Sequence, residues 1–162
     1  QYNKPGVTLF AAVLGVFVLA QKVSADEQVF IKRDMFVMDL VQDIEWLRCS
    51  LGQVWDGNTC EGEIMKLNHD EIQQAIMQAN EQLGEGWRLP TSGELKNIVC
   101  KACSPPKIDL DLFPATSAEP YWTGEANPHR KPNIYSINFY TGHRYGNFFP
   151  YQRLAVRLVR DR

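Results

Sequence analysis

Trp87-Arg88-Leu89-Pro90-Thr91-Ser92-Gly93-Glu94 is the stretch on which the reading of the fold turns. Proline fixes its own φ and drives the residue before it into an extended conformation, so Leu89-Pro90 reads as a buried turn. Thr91 and Glu94 then stand three residues apart. The Thr91 hydroxyl is placed to accept from the Glu94 N–H while the Glu94 carboxylate reaches back to the Thr91 N–H, the reciprocal arrangement of a capping box. A helix is therefore predicted from Thr91 through Leu95, Ile98 and Val99, stopping before Ser104-Pro105-Pro106.

Upstream of this stretch, Ile72, Ala75, Ile76, Ala79 and Leu83 recur at helical spacing behind Asn68, a candidate N-cap with Glu71 at its third position, and Gly84 ends the run. Glu71, Gln74, Gln78 and Glu81 fall on the other side and read as a solvated face. Earlier still, Phe36 to Trp46 alternates as a strand with a break near Asp43, and Leu47-Arg48-Cys49 carries it into a loop.

Downstream, Ile108, Leu110 and Leu112 alternate with Asp109 and Asp111, which predicts a short strand over Ile108–Phe113. Two aspartates do not supply the six to eight oxygens of a calcium site. Ile134 to Tyr140 reads as a half-buried strand, Thr141-Gly142 as a turn, His143 to Phe149 as the returning strand, and Leu154 to Val159 as a last strand containing Arg157. Strand, helix, helix and then several strands is an α+β layout, two helices against antiparallel strands, with loops long enough to carry function.

A chain of 162 residues, 44% hydrophobic and 22% charged, belongs to a folded protein with one domain's worth of core. Its net charge of -2 argues against general nucleic-acid binding, which needs a basic face. Lys4 precedes an apolar run from Val7 to Ala20, and Val23-Ser24-Ala25 places small residues where a signal peptidase reads, so residues 1–25 are expected to be a signal peptide or a retained N-terminal hydrophobic helix that contacts the membrane through residues 7–23. Residues 26–35 are polar and mixed and read as a linker, and residues 36–162 as the domain.

In an exported chain Cys49, Cys60, Cys100 and Cys103 read as disulfides. Three connectivities are open. Gly52 and Asp56-Gly57-Asn58 are turn-formers that let the ends of the Cys49–Cys60 loop meet, which favours that pair together with Cys100–Cys103. The second pair is also a CxxC motif. It falls at the end of a helix, where no N-terminus stabilises a thiolate, and no second CxxC completes a zinc site.

The blocks Trp46-Leu47-Arg48-Cys49-Ser50-Leu51-Gly52-Gln53-Val54-Trp55-Asp56-Gly57, Gly86-Trp87-Arg88-Leu89-Pro90-Thr91 with Glu94-Leu95, Tyr121-Trp122-Thr123, and Val156-Arg157-Leu158-Val159-Arg160 occur in that order. Together they resemble the Lcl C-terminal domain family, bacterial domains named after the Legionella collagen-like protein. The resemblance covers roughly Phe36 to Arg160. It implies a disulfide-stabilised α+β domain similar to C-type lectins and to the formylglycine-generating, sulfatase-modifying enzymes, with Trp87, Leu89 and Arg157 structural and Arg88 paired with an acidic group. Family members look like adhesive modules, some of them glycosaminoglycan binders.

The departures narrow the function. Formylglycine-generating enzymes act through a cysteine in the C-terminal part of the domain, and this chain has none after Cys103. Calcium-dependent lectins carry Glu-Pro-Asn or Gln-Pro-Asp and Trp-Asn-Asp, for which Glu119-Pro120-Tyr121 and Asn127-Pro128 are poor substitutes. No Ser/His/Asp order, zinc-protease motif or phosphate-binding glycine loop is present, so no catalytic residue, metal or cofactor is expected. The expected function is a non-catalytic binding domain of the periplasm or cell surface that recognises a glycan or another protein. The alternative is a membrane-anchored structural subunit of an envelope complex or pilus, in which homo-oligomers also find a place. The candidate surface is His129, Arg130 and Lys131 with His143, Arg144 and Tyr145, cations that suit sulfate or carboxylate groups, with Trp122 or Tyr145 stacking on sugar.

Overall fold

The computed structural model describes residues 29–162, so the expected signal peptide or anchor at 1–25 and its membrane contact lie outside the described residues. Among the described residues no helix is long and apolar enough to cross a membrane. The chain is α+β. A four-stranded antiparallel sheet has the order β1-β2-β3-β9, formed by β1 (Phe30–Arg33), β2 (Phe36–Asp39), β3 (Ile44–Leu47) and β9 (Val159–Asp161). A two-stranded ribbon pairs β4 (Val54–Trp55) with β5 (Cys60–Glu61), and a three-stranded sheet pairs β6 (Pro120–Ala126), β7 (Ile134–Asn138) and β8 (His143–Phe148). Two helices, α1 (His69–Leu83) and α2 (Ser92–Asn97), stand between them in sequence.

Both helices begin where the sequence places their caps. Asn68 accepts from the Glu71 N–H at 2.9 Å and Glu71 returns to the Asn68 N–H at 2.9 Å; Thr91 and Glu94 do the same at 3.1 and 2.7 Å. Such a box satisfies two of the N–H groups that a helix start leaves orphaned. The apolar side of α1 buries Ile72 completely, a contribution of about 2 kcal/mol for a side chain of that size.

Four expected elements differ. Residues 26–35 are not simply a linker, because Phe30–Arg33 pairs along its whole length with Phe36–Asp39. Exposed, polar Lys32 and Arg33 hide a strand that is stabilised by its backbone bonds at a sheet edge. The strand expected over Phe36–Trp46 has its break where expected, near Asp43, but the break is a full reversal that makes two paired strands. Asp39 accepts from the N–H groups of Val41 and Gln42, and Asp43 sits at φ 55°, so the chain reverses between them. Ile108–Phe113 is a turn: only Ile108 bridges, to Val99, and the Phe113 N–H then folds back to the Asp109 carbonyl at 2.9 Å. Leu154–Val159 is broken into lone bridges, Leu67 with Leu154 and Tyr121 with Ala155, before β9 begins. Alternation marks a side chain's face, but the pairing partner decides whether a strand exists.

The core has two centres. One gathers Trp46, Leu95, Phe113, Tyr121 and Phe139; the other gathers Trp87, Trp122, Ile72, Val156 and Leu158. Arg157 lies fully buried in the segment that runs past both. Its guanidinium donates to the carbonyls of Leu47 (2.8 Å) and Arg48, to Ser50 Oγ (3.2 Å) and to Thr116 Oγ1 (2.7 Å), and covers the Phe113 ring at 4.8 Å. Among the described residues no carboxylate pairs with it. Cys49 pairs with Cys60 and Cys100 with Cys103, as the loop composition favours.

Candidate functional site

The opening stretch is tied into the end of the chain. Arg88 exchanges backbone hydrogen bonds with Val159 at 2.8 and 3.0 Å. Its guanidinium holds Glu94 through two bonds at 2.8 and 2.9 Å and Asp161 at 2.6 Å, which supplies the acidic partner the sequence left unnamed. Burial alone raises the Glu94 carboxyl, and the bonds from Arg88 and the Thr91 N–H outweigh it and keep the group below its ordinary range. Glu94 and Asp161 hold the Arg88 guanidinium above its usual value. Trp87 is buried, stacks on Phe36 at 5.7 Å and lies under Arg160 at 4.6 Å. Leu89 and Pro90 pack beneath Gly124, where an added Cβ meets Leu89 Cβ at 3.3 Å. Thr91 and Gly93 stand exposed at the helix start, the other six residues are buried or half-buried against the fold, and the stretch is scaffold.

The exposed groups lie along the β7–β8 hairpin. Asn138 pairs with His143, Ile137 with Arg144, Ser136 with Tyr145 and Ile134 with Phe148, the register slipping by one residue between the last two pairs. Gly146 occupies that irregularity, and a Cβ there would meet Asn127 Nδ2 at 2.5 Å and the Tyr135 ring at 2.7 Å. The absent side chain lets loop 127–133 close against the strand: Asn127 Nδ2 donates to the Gly146 carbonyl at 2.8 Å, and the Asn127 N–H to the Asn133 carbonyl at 2.7 Å. His129, Arg130 and Lys131 are exposed on this loop.

The structure joins part of the expected cluster and separates the rest. The Arg144 guanidinium lies 4.3 Å above the Tyr135 ring, whose hydroxyl donates to Asn127 Oδ1 at 3.3 Å, and the same oxygen accepts from the His129 N–H at 3.0 Å. Tyr135 thus links Arg144 to the loop that carries Arg130 and Lys131. His143 is at the opposite end of the strand, three residues or roughly 10 Å from Gly146, where the loop is anchored. Tyr145 is partly exposed, its hydroxyl donating to Thr141 Oγ1 at 3.2 Å.

Trp122 does not belong to this surface. It is 0% exposed, donates through Nε1 to the Leu67 carbonyl at 2.8 Å, and packs edge-on against His69 and Phe148. Its place on β6, covered by residues 154–156, turns it into the core, so it offers no face to a sugar.

At the tip, His143 shares a pocket of about 480 Å³ with Lys96, Lys101 and Lys107. Lys107 is held by the carbonyls of Cys103 at 3.0 Å and Lys101 at 3.3 Å, and its N–H donates to the Phe139 carbonyl at 2.6 Å, which fastens the disulfide loop to the hairpin. Among the described residues, none of Lys96, Lys101, Lys107, Arg130, Lys131 and Arg144 has a carboxylate within ion-pair distance. The lysines and Tyr135 escape a reading of local motifs. The available signal is one of absence: no Asp or Glu stands between Glu125 and Asp161, nor between Glu94 and Asp109. Among the described residues no group of three or more His, Cys, Asp or Glu is placed to hold a metal ion.

A disulfide-braced α+β domain with a charged, acid-free hairpin is the class of protein this geometry defines. The chain belongs to the Lcl C-terminal domain family, whose model matches residues 35–160. Neither the curated proteins nor the solved structures contain a significant match to the chain.

Proposed function

We propose that this chain is an exported, non-catalytic recognition domain of the bacterial envelope that holds acidic glycans on its β7–β8 hairpin. The observation that carries the reading is a set of cations without acidic partners: Arg144 over Tyr135, Arg130 and Lys131 on the loop bonded to Tyr135, and Lys96, Lys101 and Lys107 around the pocket they share with His143, with no carboxylate among the described residues within ion-pair distance of them. In a chain whose net charge is negative, such groups of cations are complementary to sulfate or carboxylate groups spaced along a polymer. Tyr135 under Arg144 orients the guanidinium, and Tyr140 and Tyr145 are exposed on the same hairpin. Two disulfides support an oxidising location, the periplasm or the cell surface. In this reading the domain resembles a C-type lectin in presenting its loops at one end, but binds by charge without calcium.

The test is retention on a heparin column. The double variant Arg130→Ala, Arg144→Ala elutes at lower salt than the parent chain, with affinity reduced about tenfold if two charge-assisted contacts are lost. Elution at unchanged salt with an unchanged melting temperature overturns the reading.

A further inference from the structure

On the other side of the chain's charge distribution lies a cleft of about 420 Å³ between α1 and the loop closed by Cys49–Cys60. Its volume is in the range of ligand-binding pockets. The floor is Leu47, Leu51, Leu67, Ala75, Ala79 and Leu83, and the cleft exists because two alanines four residues apart leave space on the helix face. Val54, 70% exposed, and Met65, 52% exposed, stand at its mouth. Among the described residues, none that lines it carries a charge. We propose that this cleft docks an extended apolar segment of a partner protein, flanked by lysine or arginine.

Two observations select that occupant. Gln78 and Gln82 line one wall, four residues apart, and neither amide has a hydrogen-bond partner among the described residues. Their heads repeat along the helix at about 6 Å, close to the roughly 6.6 Å repeat of alternate residues in an extended chain, so they can meet successive backbone groups of a strand-like ligand. Alternate side chains of that ligand then point to the apolar floor.

The rim supplies the second observation. Glu61 pairs directly with Val54, which puts its carboxylate on the same side of the ribbon as the cleft mouth. Glu63 is exposed two residues before Met65. Glu81 stands next to Gln78 on the helix surface. These three exposed glutamates have no Lys or Arg partner among the described residues. The cations around the cleft are engaged by other partners: Arg48 stacks on Trp55 at 4.2 Å and spends its donors on the carbonyls of Asp34, Asp111 and Leu112, Lys66 pairs with Glu119 at 2.6 Å, and Arg160 binds Glu45 and the Leu83 carbonyl. An acidic rim around an uncharged floor favours basic flanks and rejects acidic ones.

This site is independent of the hairpin, and the experiment separates the two. The full chain is used to select from a displayed library of random seven-residue peptides, and enriched peptides are synthesised and measured by fluorescence anisotropy. Enriched sequences are expected to alternate apolar residues and to carry net positive charge. Their affinity is expected to fall about tenfold in Gln82→Trp, which fills the mouth, and in Glu61→Lys with Glu63→Lys, which reverses the rim. It is expected to stay unchanged in Arg130→Ala, Arg144→Ala. All the substituted positions are exposed, and equal melting temperatures exclude unfolding as the cause. No enrichment, enrichment of acidic peptides, or binding unmoved by Gln82→Trp overturns the proposal. So does self-association in sedimentation that Gln82→Trp abolishes, since the occupant is then a second copy of the chain.

Discussion

The arginines bonded into the fold and the hairpin cations are chemically alike and physically opposite. Arg157 directs four hydrogen bonds into the fold, Arg88 binds Glu94 and Asp161, and Arg160 binds Glu45 and the Leu83 carbonyl. Among the described residues Arg144 has a tyrosine ring and no carboxylate, and Arg130 and Lys131 have neither. Removing an ion from water is offset by the hydrogen bonds it makes inside, so the two Nη groups of buried Arg157 are met by four acceptors while its Nε–H is left without one. Desolvation pushes Arg157 down to about 10, still cationic near neutral pH, and the carbonyl dipoles of Leu47 and Arg48 carry the charge. An exposed cation is solvated already and can exchange water for a ligand's anion. The first group specifies a structure; the second remains free to bind.

The contrast is most directly broken at Arg157. Replacing it with Met leaves two carbonyls and two hydroxyls facing an apolar side chain, and is expected to destabilise the domain by about 3 kcal/mol or more in urea denaturation. A loss under about 1 kcal/mol would mean that the pocket relaxes and the buried set is not essential. Next in size is the Cys49–Cys60 bridge, which closes a loop with a sequence separation of 11. Changing both cysteines to Ser is expected to lose about 2–3 kcal/mol through the entropy of the unfolded loop. The same pair of changes also loosens one wall of the apolar cleft, so peptide binding there is expected to weaken along with stability.

A smaller effect concerns His69 at the start of α1. Burial pushes its imidazole below the ordinary value, with Asp70 opposing, and Nε2 lies buried without a hydrogen-bond partner beside Trp122 at 4.7 Å. The unfolded chain therefore takes up the proton first as pH falls through the usual imidazole range, about 6.5. The stabilising contribution is complete above that range and is lost on acidification. Urea midpoints are expected to fall between about pH 7.5 and pH 5.5 in the parent chain and to fall less in His69→Gln. An identical slope in both proteins assigns the pH dependence to other groups. The smallest expected effect is on the stability of Arg130→Ala, Arg144→Ala, within about 0.5 kcal/mol of the parent although heparin retention drops. A large loss of stability there would make the hairpin cations structural and erase the distinction.

Much of the fold is legible in the order of the residues alone. Both capping boxes, the α1 face, the turn at Thr141-Gly142 and the pairing of the cysteines follow from short-range chemistry in which the partners lie within about a dozen residues. The four signature blocks carry the family. What escapes is the edge strand at Phe30–Arg33, whose pairing partner is set by a hairpin, and the break in the last segment, where residues 154–159 are buried throughout and bridge in turn to Leu67, Tyr121, Arg88 and Trp46.

The candidate site divides along the same line. The basic residues at 129–131 and 143–144 stand out in the sequence because their charges are local. Their relation to one another does not, because it depends on hairpin register and on the space left by Gly146. Trp122 reads as available because aromatic residues serve both cores and sugars, and only the chain laid over β6 decides which. Caps, turns and loop closure are local free energies, and the sequence by itself determines them. Whether an arginine is enclosed by acceptors or left to a ligand is a long-range packing outcome. For Arg157 and Arg144 the tertiary structure alone made that choice.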